Sequence, residues 1–153
     1  MRIWFDTEFI DDGRSIDLIS IGMVRADGAE YYAEFAEFDS SRADDWIRQK
    51  IFPHLCGPRK ARSAIAADVR AFAGDDPEFW AFYADYDWVA LCQLYGRMMR
   101  DLPDGWPKFC LDIRQIVHDL GNPSLQRPEG GQHHALADAR WNRRIWESLR
   151  GNA

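Results

Sequence analysis

Residues 3–9, Ile-Trp-Phe-Asp-Thr-Glu-Phe, place two acids directly behind a run of large apolar side chains. Side chains alternate between the faces of a β-strand, so a strand over residues 2–8 projects Asp6 and Glu8 to the same side. Two carboxylates this close repel each other unless one takes up a proton or a cation lies between them. Hard divalent ions such as Mg²⁺ prefer carboxylate oxygens. The stretch therefore indicates either a metal site or, more simply, a strand end with solvated acids.

The composition is that of a folded globular protein. The 153 residues suit one domain, residues 1–153, and the hydrophobic and aromatic fractions of 46% and 14% provide for a sizeable core. The formal net charge of −6 argues against broad, charge-driven binding to duplex DNA. Other nucleic-acid binding stays open, because clustered carboxylates that hold divalent cations would account for part of the excess acid.

The cysteines and the hydropathy pattern favour the cytoplasm. The three cysteines are far apart and include no Cys-x-x-Cys pair, so neither a disulfide framework nor a zinc site is indicated. Asp6 comes too early for the apolar region of a signal peptide, and no apolar run reaches the length of about 18 residues that a membrane span needs. We therefore expect a non-secreted protein with no membrane partner.

Turn signals and apolar runs predict a mixed α/β order. The first three strands form an antiparallel meander over 2–8, 18–24 and 30–35, and later strands are predicted over 79–83 and 109–111. Helices are predicted over 60–72, 89–99 and 113–120 and in a last segment that carries residues 135–149.

Further acids stand beside the later elements. Asp85 and Asp87 lie between a predicted strand and helix, and Asp138 lies in the last helix. Asp112 follows a short apolar strand, where it either holds a metal-bound water or caps the next helix, and we favour the cap.

Three motifs, in this order, resemble those of the DEDDh, or DnaQ-like, 3′→5′ exonucleases: Asp6-Thr7-Glu8, Tyr86-Asp87-x-x-x-Leu91 and His133-x-Ala135-Leu136-x-Asp138. The resemblance runs from residue 3 to about residue 146. It implies an RNase H-like α/β fold, with a mixed five-stranded sheet and helices on both faces. Asp87, and not Asp85, follows an aromatic residue and precedes the x-x-x-Leu pattern, which leaves Asp85 as an acid of the turn or one that contacts a metal ligand. Tyr83-Ala84-Asp85 departs from the Asn-Ala or similar pair of many members, which leaves the sugar and phosphate contacts open.

This resemblance implies two-metal phosphodiester hydrolysis. Two Mg²⁺ or Mn²⁺ ions about 4 Å apart clamp the scissile phosphate, where one activates water and the other stabilises the leaving 3′-oxygen. The motifs assign Asp6, Glu8, Asp87 and Asp138 as metal ligands, and we expect Asp6 to be the bridge because its strand is the most buried element. They assign His133 as general base, and an imidazole titrates near neutral pH.

The position of the base has one competitor, His134. The five-residue spacing to Asp138 selects His133 and leaves His134 as a helix cap or surface residue. Five residues along a continuous helix would place His133 and Asp138 roughly 140° apart. We therefore expect His133 ahead of the helix, on a Gly130-Gly131 loop that lets it move toward the metals.

Binding of the terminal nucleotide is also implied by the resemblance. Family members hold it against the residues after the first motif, which makes Thr7 and Phe9 candidates. Tyr86 and Trp88 are further candidates for stacking on a base, although each has a core position as its alternative. Arg140 is a candidate for contact with the backbone phosphate.

The implied activity is metal-dependent 3′→5′ release of nucleoside 5′-monophosphates from single-stranded RNA or 3′ overhangs. RNA is preferred because the small chain is similar to bacterial exoribonucleases of the RNase T, oligoribonuclease and polyadenylate-specific RNase AS kind, which are often homodimers. The alternatives are a proofreading-type DNA exonuclease, an inactive nucleic-acid-binding module of the same fold and a small-nucleotide hydrolase.

Overall fold

A mixed six-stranded β-sheet forms the centre of the fold. The computed structural model describes residues 1–127, 130 and 132–151. Its strands are β1 (Arg2–Asp11), β2 (Ile16–Arg25), β3 (Glu30–Phe35), β4 (Arg59–Lys60), β5 (Glu78–Ala81) and β6 (Leu111–Asp112). They lie in the order β4-β3-β2-β1-β5-β6. The first three strands are antiparallel, as predicted, and the other three each pair in parallel with a neighbour.

Within the described residues, six α-helices pack around this sheet. They are α1 (Asp45–Lys50), α2 (Arg62–Ala73), α3 (Ala84–Gln93), α4 (Met98–Asp101), α5 (Ile113–Asp119) and α6 (Ala135–Gly151). Short 3₁₀ turns at Ser40–Arg42 and Phe52–His54 flank α1. In the described part of the chain, no helix combines the length and the apolar character needed to cross a bilayer.

The prediction of five strands was one short. The additional strand, β4, has two residues and pairs with Glu34 and Phe35 at the edge of the sheet. Backbone hydrogen bonds from Glu34 N to Pro58 O and from Ala36 N to Lys60 O, both 2.9 Å, hold it there. Two residues are too few to produce an alternating pattern, so this strand exists through pairing with β3 and left no sequence signal.

The strand β1 is buried on both faces because it lies between β2 and β5 and has helices above and below. Ile3 and Phe5 belong to a core cluster that includes residues of α2 and α3, whereas Trp4 packs in a second cluster with residues of α5 and α6. A strand with two buried faces is expected to be a continuous apolar run, as residues 3–5 are. The two carboxylates that follow are therefore carried by one of the most enclosed elements of the fold.

Helix α6 lies unusually close to the sheet where it crosses β2. Gly22 pairs with Asp6 across the β1–β2 ladder. A Cβ atom at Gly22 would lie 2.2 Å from Leu136 N and 2.3 Å from the carbonyl carbon of Ala135. The missing side chain thus lets the first turn of α6 rest on the sheet beside the acidic end of β1.

We predict that Gly22→Ala destabilises the protein, because the new methyl group meets helix backbone, which yields less readily than a flexible side chain. Overpacking of this kind costs about 1–3 kcal/mol, measured as the free energy of unfolding from urea denaturation. Gly151→Ala is the matched control: a Cβ atom added there would have nothing within 4 Å of it, and we expect a change within about 0.5 kcal/mol. Equal unfolding midpoints for the two variants would contradict the close approach.

Candidate active site

Three carboxylates meet at the end of β1. Asp6 and Glu8 project from the same face of the strand, as its alternation predicts, and Asp138 reaches them from the first turn of α6. Each offers one oxygen atom, and the three oxygens lie within 4.8 Å of one another. Acids from the two ends of the chain are thus combined into one group.

Burial makes this group electrostatically unfavourable by itself. Burial raises the pKa of Asp6 well above its usual range, and the nearby charges of Asp87, Glu8 and Asp138 raise it further. The pKa of Glu8 rises to about 8, again chiefly through burial and then through the charges of Asp138 and Asp87. Oxygen donors that repel one another in a partly desolvated cleft are the donor set that hard divalent cations such as Mg²⁺ and Mn²⁺ accept, so these residues fit such an ion.

Asp87 approaches the cleft from the opposite face of the sheet. It lies in the first turn of α3, and its Oδ1 accepts hydrogen bonds from Thr7 N at 2.8 Å and Thr7 Oγ1 at 2.6 Å. Burial raises the pKa of Asp87 to about 7 even though both bonds from Thr7 favour the charged form. Thr7, a candidate for substrate binding, therefore uses its side chain to hold the second acidic motif against the first.

His133 lies ahead of α6, as predicted, and lines the same cleft as the acids. Its backbone N–H donates to Asp138 Oδ2 at 2.9 Å, and its ring meets the edge of Trp46 at a centroid distance of 4.8 Å. Its φ of 65° lies in the left-handed region, and burial lowers the pKa of its imidazole. In the predicted glycine loop, Gly130 has a φ of 78°, while Gly131 lies outside the described residues.

His134 is a helix cap. Its Nδ1 accepts from Ala137 N at 3.4 Å, and its carbonyl oxygen accepts from Asp138 N at 3.0 Å. The ring stacks on Tyr32 with a centroid distance of 4.5 Å and an interplanar angle of 20°. This stacking anchors the start of α6 to β3.

Aromatic side chains frame the acids in a cleft of about 290 Å³. Phe9 and Tyr86 meet edge to face at a centroid distance of 5.7 Å, and both line the cleft. Tyr86 is half exposed. These two predicted substrate contacts thus lie together beside the carboxylates.

Two further predicted substrate contacts, Trp88 and Arg140, do not line the cleft. Trp88 is buried in the core, where its ring packs on Phe79 and its Nε1 donates to Met98 S at 3.0 Å. Successive residues of a helix point about 100° apart, so the turn that aims Asp87 at Thr7 aims Trp88 into the core. Arg140 forms a two-bond ion pair with Glu30, at 2.8 and 2.6 Å, and lines a neighbouring cavity.

The remaining acids have local roles. Asp112 caps α5, as predicted, because its side chain accepts from Arg114 N at 2.7 Å. The same oxygen accepts from Tyr83 N at 3.2 Å, which ties the residue before α3 to the start of α5. Asp85 is exposed in the first turn of α3.

Arg127 and Trp46 are among the cleft residues that the sequence patterns missed. Arg127 places its Nη1 3.1 Å from Asp138 Oδ1 and lies over the ring of Trp141 at 4.0 Å. Trp46, from α1, contributes the ring that meets His133. Arg127 follows α5 at the end of residues 120–127, which form neither strand nor helix, so no periodicity marks it. Trp46 lies in a short helix with one buried residue, and its sequence spacing points to no motif.

Residues 1–150 match a protein family described as the 3′-5′ exoribonuclease Rv2179c-like domain. Two relatives come from Mycobacterium tuberculosis: the 3′-5′ exoribonuclease Rv2179c of strain H37Rv and the 3′-5′ exoribonuclease MT2234.1 of strain CDC 1551. Each is 44% identical to this chain over 148 residues, which cover 92% of this chain and 88% of the relative.

The fold is similar to that of Escherichia coli exonuclease I. A zinc-bound complex of that enzyme with single-stranded DNA matches with a TM-score of 0.61 over 97% of this chain and 39% of exonuclease I. Its complex with a dT13 oligonucleotide matches with a TM-score of 0.59 over 99% of this chain and 41% of that one. Sequence identity is 11% in both. The chain thus spans about two fifths of the length of exonuclease I and shares its fold over that part.

We predict that Thr7→Val weakens the attachment of Asp87 to β1, because it removes the Oγ1 hydrogen bond while keeping the shape of the side chain. A hydrogen bond to a charged group contributes about 1.5–3 kcal/mol, and the loss is measured as the free energy of unfolding in urea. Thr7→Ser keeps the hydroxyl group and serves as the control. A valine variant as stable as the wild type would show that the hydroxyl bond contributes nothing.

Proposed function

Because the chain belongs to the family of Rv2179c-like 3′-5′ exoribonuclease domains, we propose that it is a metal-dependent 3′→5′ exoribonuclease of the DEDDh type with an RNase H-like fold. The reaction releases nucleoside 5′-monophosphates from the 3′ end of single-stranded RNA or of a 3′ overhang. The observation that carries the proposal is the meeting of Asp6, Glu8 and Asp138 within 4.8 Å. It is supported by the presence of Asp87 and His133 in the same cleft.

The proposed metal ligands are Asp6, Glu8, Asp138 and Asp87. Two bound Mg²⁺ or Mn²⁺ ions supply positive charge to the scissile phosphate, the attacking water and the leaving 3′-oxygen. The protein's part is to keep the first three carboxylates within reach of one another and to hold Asp87 beside them through Thr7. Preorganised carboxylates need no rearrangement at the moment of reaction.

The proposed general base is His133. Burial lowers the pKa of its imidazole, so the ring is neutral at pH 7 and one of its nitrogens accepts the proton of the attacking water. The bond to Asp138 is made by the backbone N–H of His133, which positions the residue without using the ring. Because the backbone makes this bond, the imidazole ring remains able to accept a proton.

The proposed binding site of the terminal nucleotide is formed by the aromatic side chains that line the cleft. Phe9 and Tyr86 offer adjoining rings next to Asp6 and Glu8, and stacking on an aromatic ring contributes about 1–3 kcal/mol per base. Thr7 acts here through Asp87. Trp88 is not part of this binding site because it is buried in the core.

RNA is the proposed substrate because both M. tuberculosis relatives are named exoribonucleases. A DNA exonuclease is the second candidate, since the exonuclease I structures of the same fold contain single-stranded DNA. We further propose a single exonuclease domain per chain, a cytoplasmic location and a homodimer. Exposed apolar side chains such as Met99 and Phe109 offer surface for the dimer contact.

The test of this function uses 5′-labelled RNA and DNA oligonucleotides of the same sequence. We expect stepwise shortening of RNA from the 3′ end with Mg²⁺ or Mn²⁺, release of 5′-monophosphates by mass spectrometry, and no product in EDTA. Asp6→Asn is expected to lower turnover roughly 10³-fold, because metal stabilisation is worth several kcal/mol. The same variant is expected to keep its thermal midpoint without metal, since it replaces a carboxyl group whose charged form burial and its acidic neighbours disfavour by an uncharged group of similar shape. If no oligonucleotide is shortened under any metal condition, the proposal is wrong.

We predict that substitutions of His133 and His134 differ in their effects on kcat and on the free energy of unfolding. His133→Asn, which tolerates the left-handed backbone, should lower kcat about 10²–10⁴-fold, as loss of a general base does, with little change in stability. His134→Ala should lower the free energy of unfolding by about 0.5–2 kcal/mol through the lost cap and keep kcat within about tenfold. Urea denaturation and turnover on one RNA decanucleotide measure both. The opposite pattern would assign the base to His134.

A further inference from the structure

A groove lined by arginine side chains continues from the acidic cleft along α6. It consists of two adjoining cavities of about 210 and 590 Å³, which share Arg127, Trp141 and Arg144 as lining residues. The first cavity also shares Arg127 and Asp138 with the acidic cleft. We call this surface the α6 groove and define it by Arg127, Ala137, Arg140, Trp141 and Arg144.

The spacing of these residues makes the groove one face of a helix. Ala137, Trp141 and Arg144 follow at intervals of four and three residues, which places them on the same side of α6. Arg144 lies six residues beyond Asp138, or about 9 Å along the axis at 1.5 Å per residue. The groove therefore leads away from the carboxylates in a definite direction.

Charge distinguishes the α6 groove from the rest of this acidic protein. Arg127 is fixed between Asp138 and the ring of Trp141, and Arg140 is paired with Glu30. Arg144 is exposed and forms no ion pair with any residue in the described ranges 1–127, 130 and 132–151. The guanidinium group of an exposed arginine binds phosphate through two parallel hydrogen bonds. Arg144 therefore offers a phosphate-binding group in a groove that leads to the acidic cleft.

The other cavities that adjoin the cleft have balanced charges. The cavity beside Tyr83 is lined by both Arg114 and Asp119. The cavity beside Tyr86 is lined by both Asp11 and Arg14. Of these cavities, the α6 groove is thus the better route for a polyanion.

We propose that the α6 groove binds the sugar-phosphate backbone of the single strand on the 5′ side of the scissile bond. Arg127 binds the phosphate next to the carboxylates, and Arg144 binds a phosphate further along the strand. This inference rests on the proposed exonuclease function and adds the path of the substrate to it.

The chemistry of the groove favours binding without sequence preference. Guanidinium groups bind phosphates bidentately and carry no information about the base. Trp141 is 4% exposed and covered by Arg127, so its ring holds the arginine and does not stack on a nucleobase. The groove therefore contributes affinity for longer strands, whereas selection of the terminal nucleotide belongs to the cleft.

Arg144→Ala tests the proposal through the length of the substrate. A dinucleotide has one phosphodiester, which lies at the carboxylates, and so has no phosphate for Arg144. We expect the variant to lower kcat/KM about 5–10-fold on an RNA decanucleotide and to match the wild type on the dinucleotide. In the Asp6→Asn background, Arg144→Ala should also reduce the salt dependence of decanucleotide binding by about 0.7 in log Kd per log salt, the slope of one single-strand phosphate contact. Fluorescence anisotropy measures this binding without turnover.

Arg100→Ala is the matched control, because Arg100 is an exposed arginine on α4, which follows the end of α3 opposite to Asp87. It removes the same charge and should leave both substrates and the salt slope unchanged. The proposal is overturned if kcat/KM of Arg144→Ala equals that of the wild type on both substrates, or if it falls on the dinucleotide as much as on the decanucleotide. It is also overturned if Arg100→Ala lowers kcat/KM on the decanucleotide as much as Arg144→Ala does. Failure of the function itself is distinct: the wild-type protein would then shorten neither substrate.

Discussion

The repulsion among buried carboxylates is the constraint on which the rest of this structure depends. Removing a charged carboxylate from water costs several kcal/mol, and here three of them share one small volume at the end of β1. Such an arrangement persists only if the surrounding fold is rigid and if positive charge comes to it. The placement of β1 between two strands and two layers of helices supplies the rigidity. The guanidinium of Arg127 supplies part of the positive charge, since it lowers the pKa of both Asp6 and Glu8 against the effect of burial.

Helix α6 is held to the sheet by contacts with β1, β2 and β3. Asn142 is buried and donates from Nδ2 to the carbonyl oxygen of Phe5 at 2.9 Å. Gly22 permits the first turn of the helix to touch the sheet, and His134 stacks on Tyr32. The residues in these contacts take no part in the proposed reaction, but they determine where Asp138 and His133 lie. The acidic cleft is therefore a property of the packing of α6 as much as of the acids themselves.

The formal net charge of −6 is a sum over surfaces of opposite charge. Acids are concentrated in the cleft, and arginines line the adjoining groove along α6. For a protein that acts on a polyanion, this division separates attraction of the strand from the chemistry on its end. A single net charge describes neither surface, because interactions between charges fall off over about a Debye length of 8–10 Å.

The sequence by itself determined the elements that local patterns encode. The apolar run before Asp6 and Glu8, the antiparallel meander and the capping role of Asp112 follow from alternation and turn chemistry, which act between neighbours in the chain. The family motifs marked Asp87, His133 and Asp138. Only the tertiary structure decided that β4 joins the sheet, that Thr7 holds Asp87, that Trp88 is core and that Arg127 lies beside Asp138. Each depends on tertiary contacts: β4 pairs with β3, Thr7 and Asp87 meet when α3 packs on the sheet, and Arg127 lies beside Asp138 where α6 begins. No local pattern carries that information.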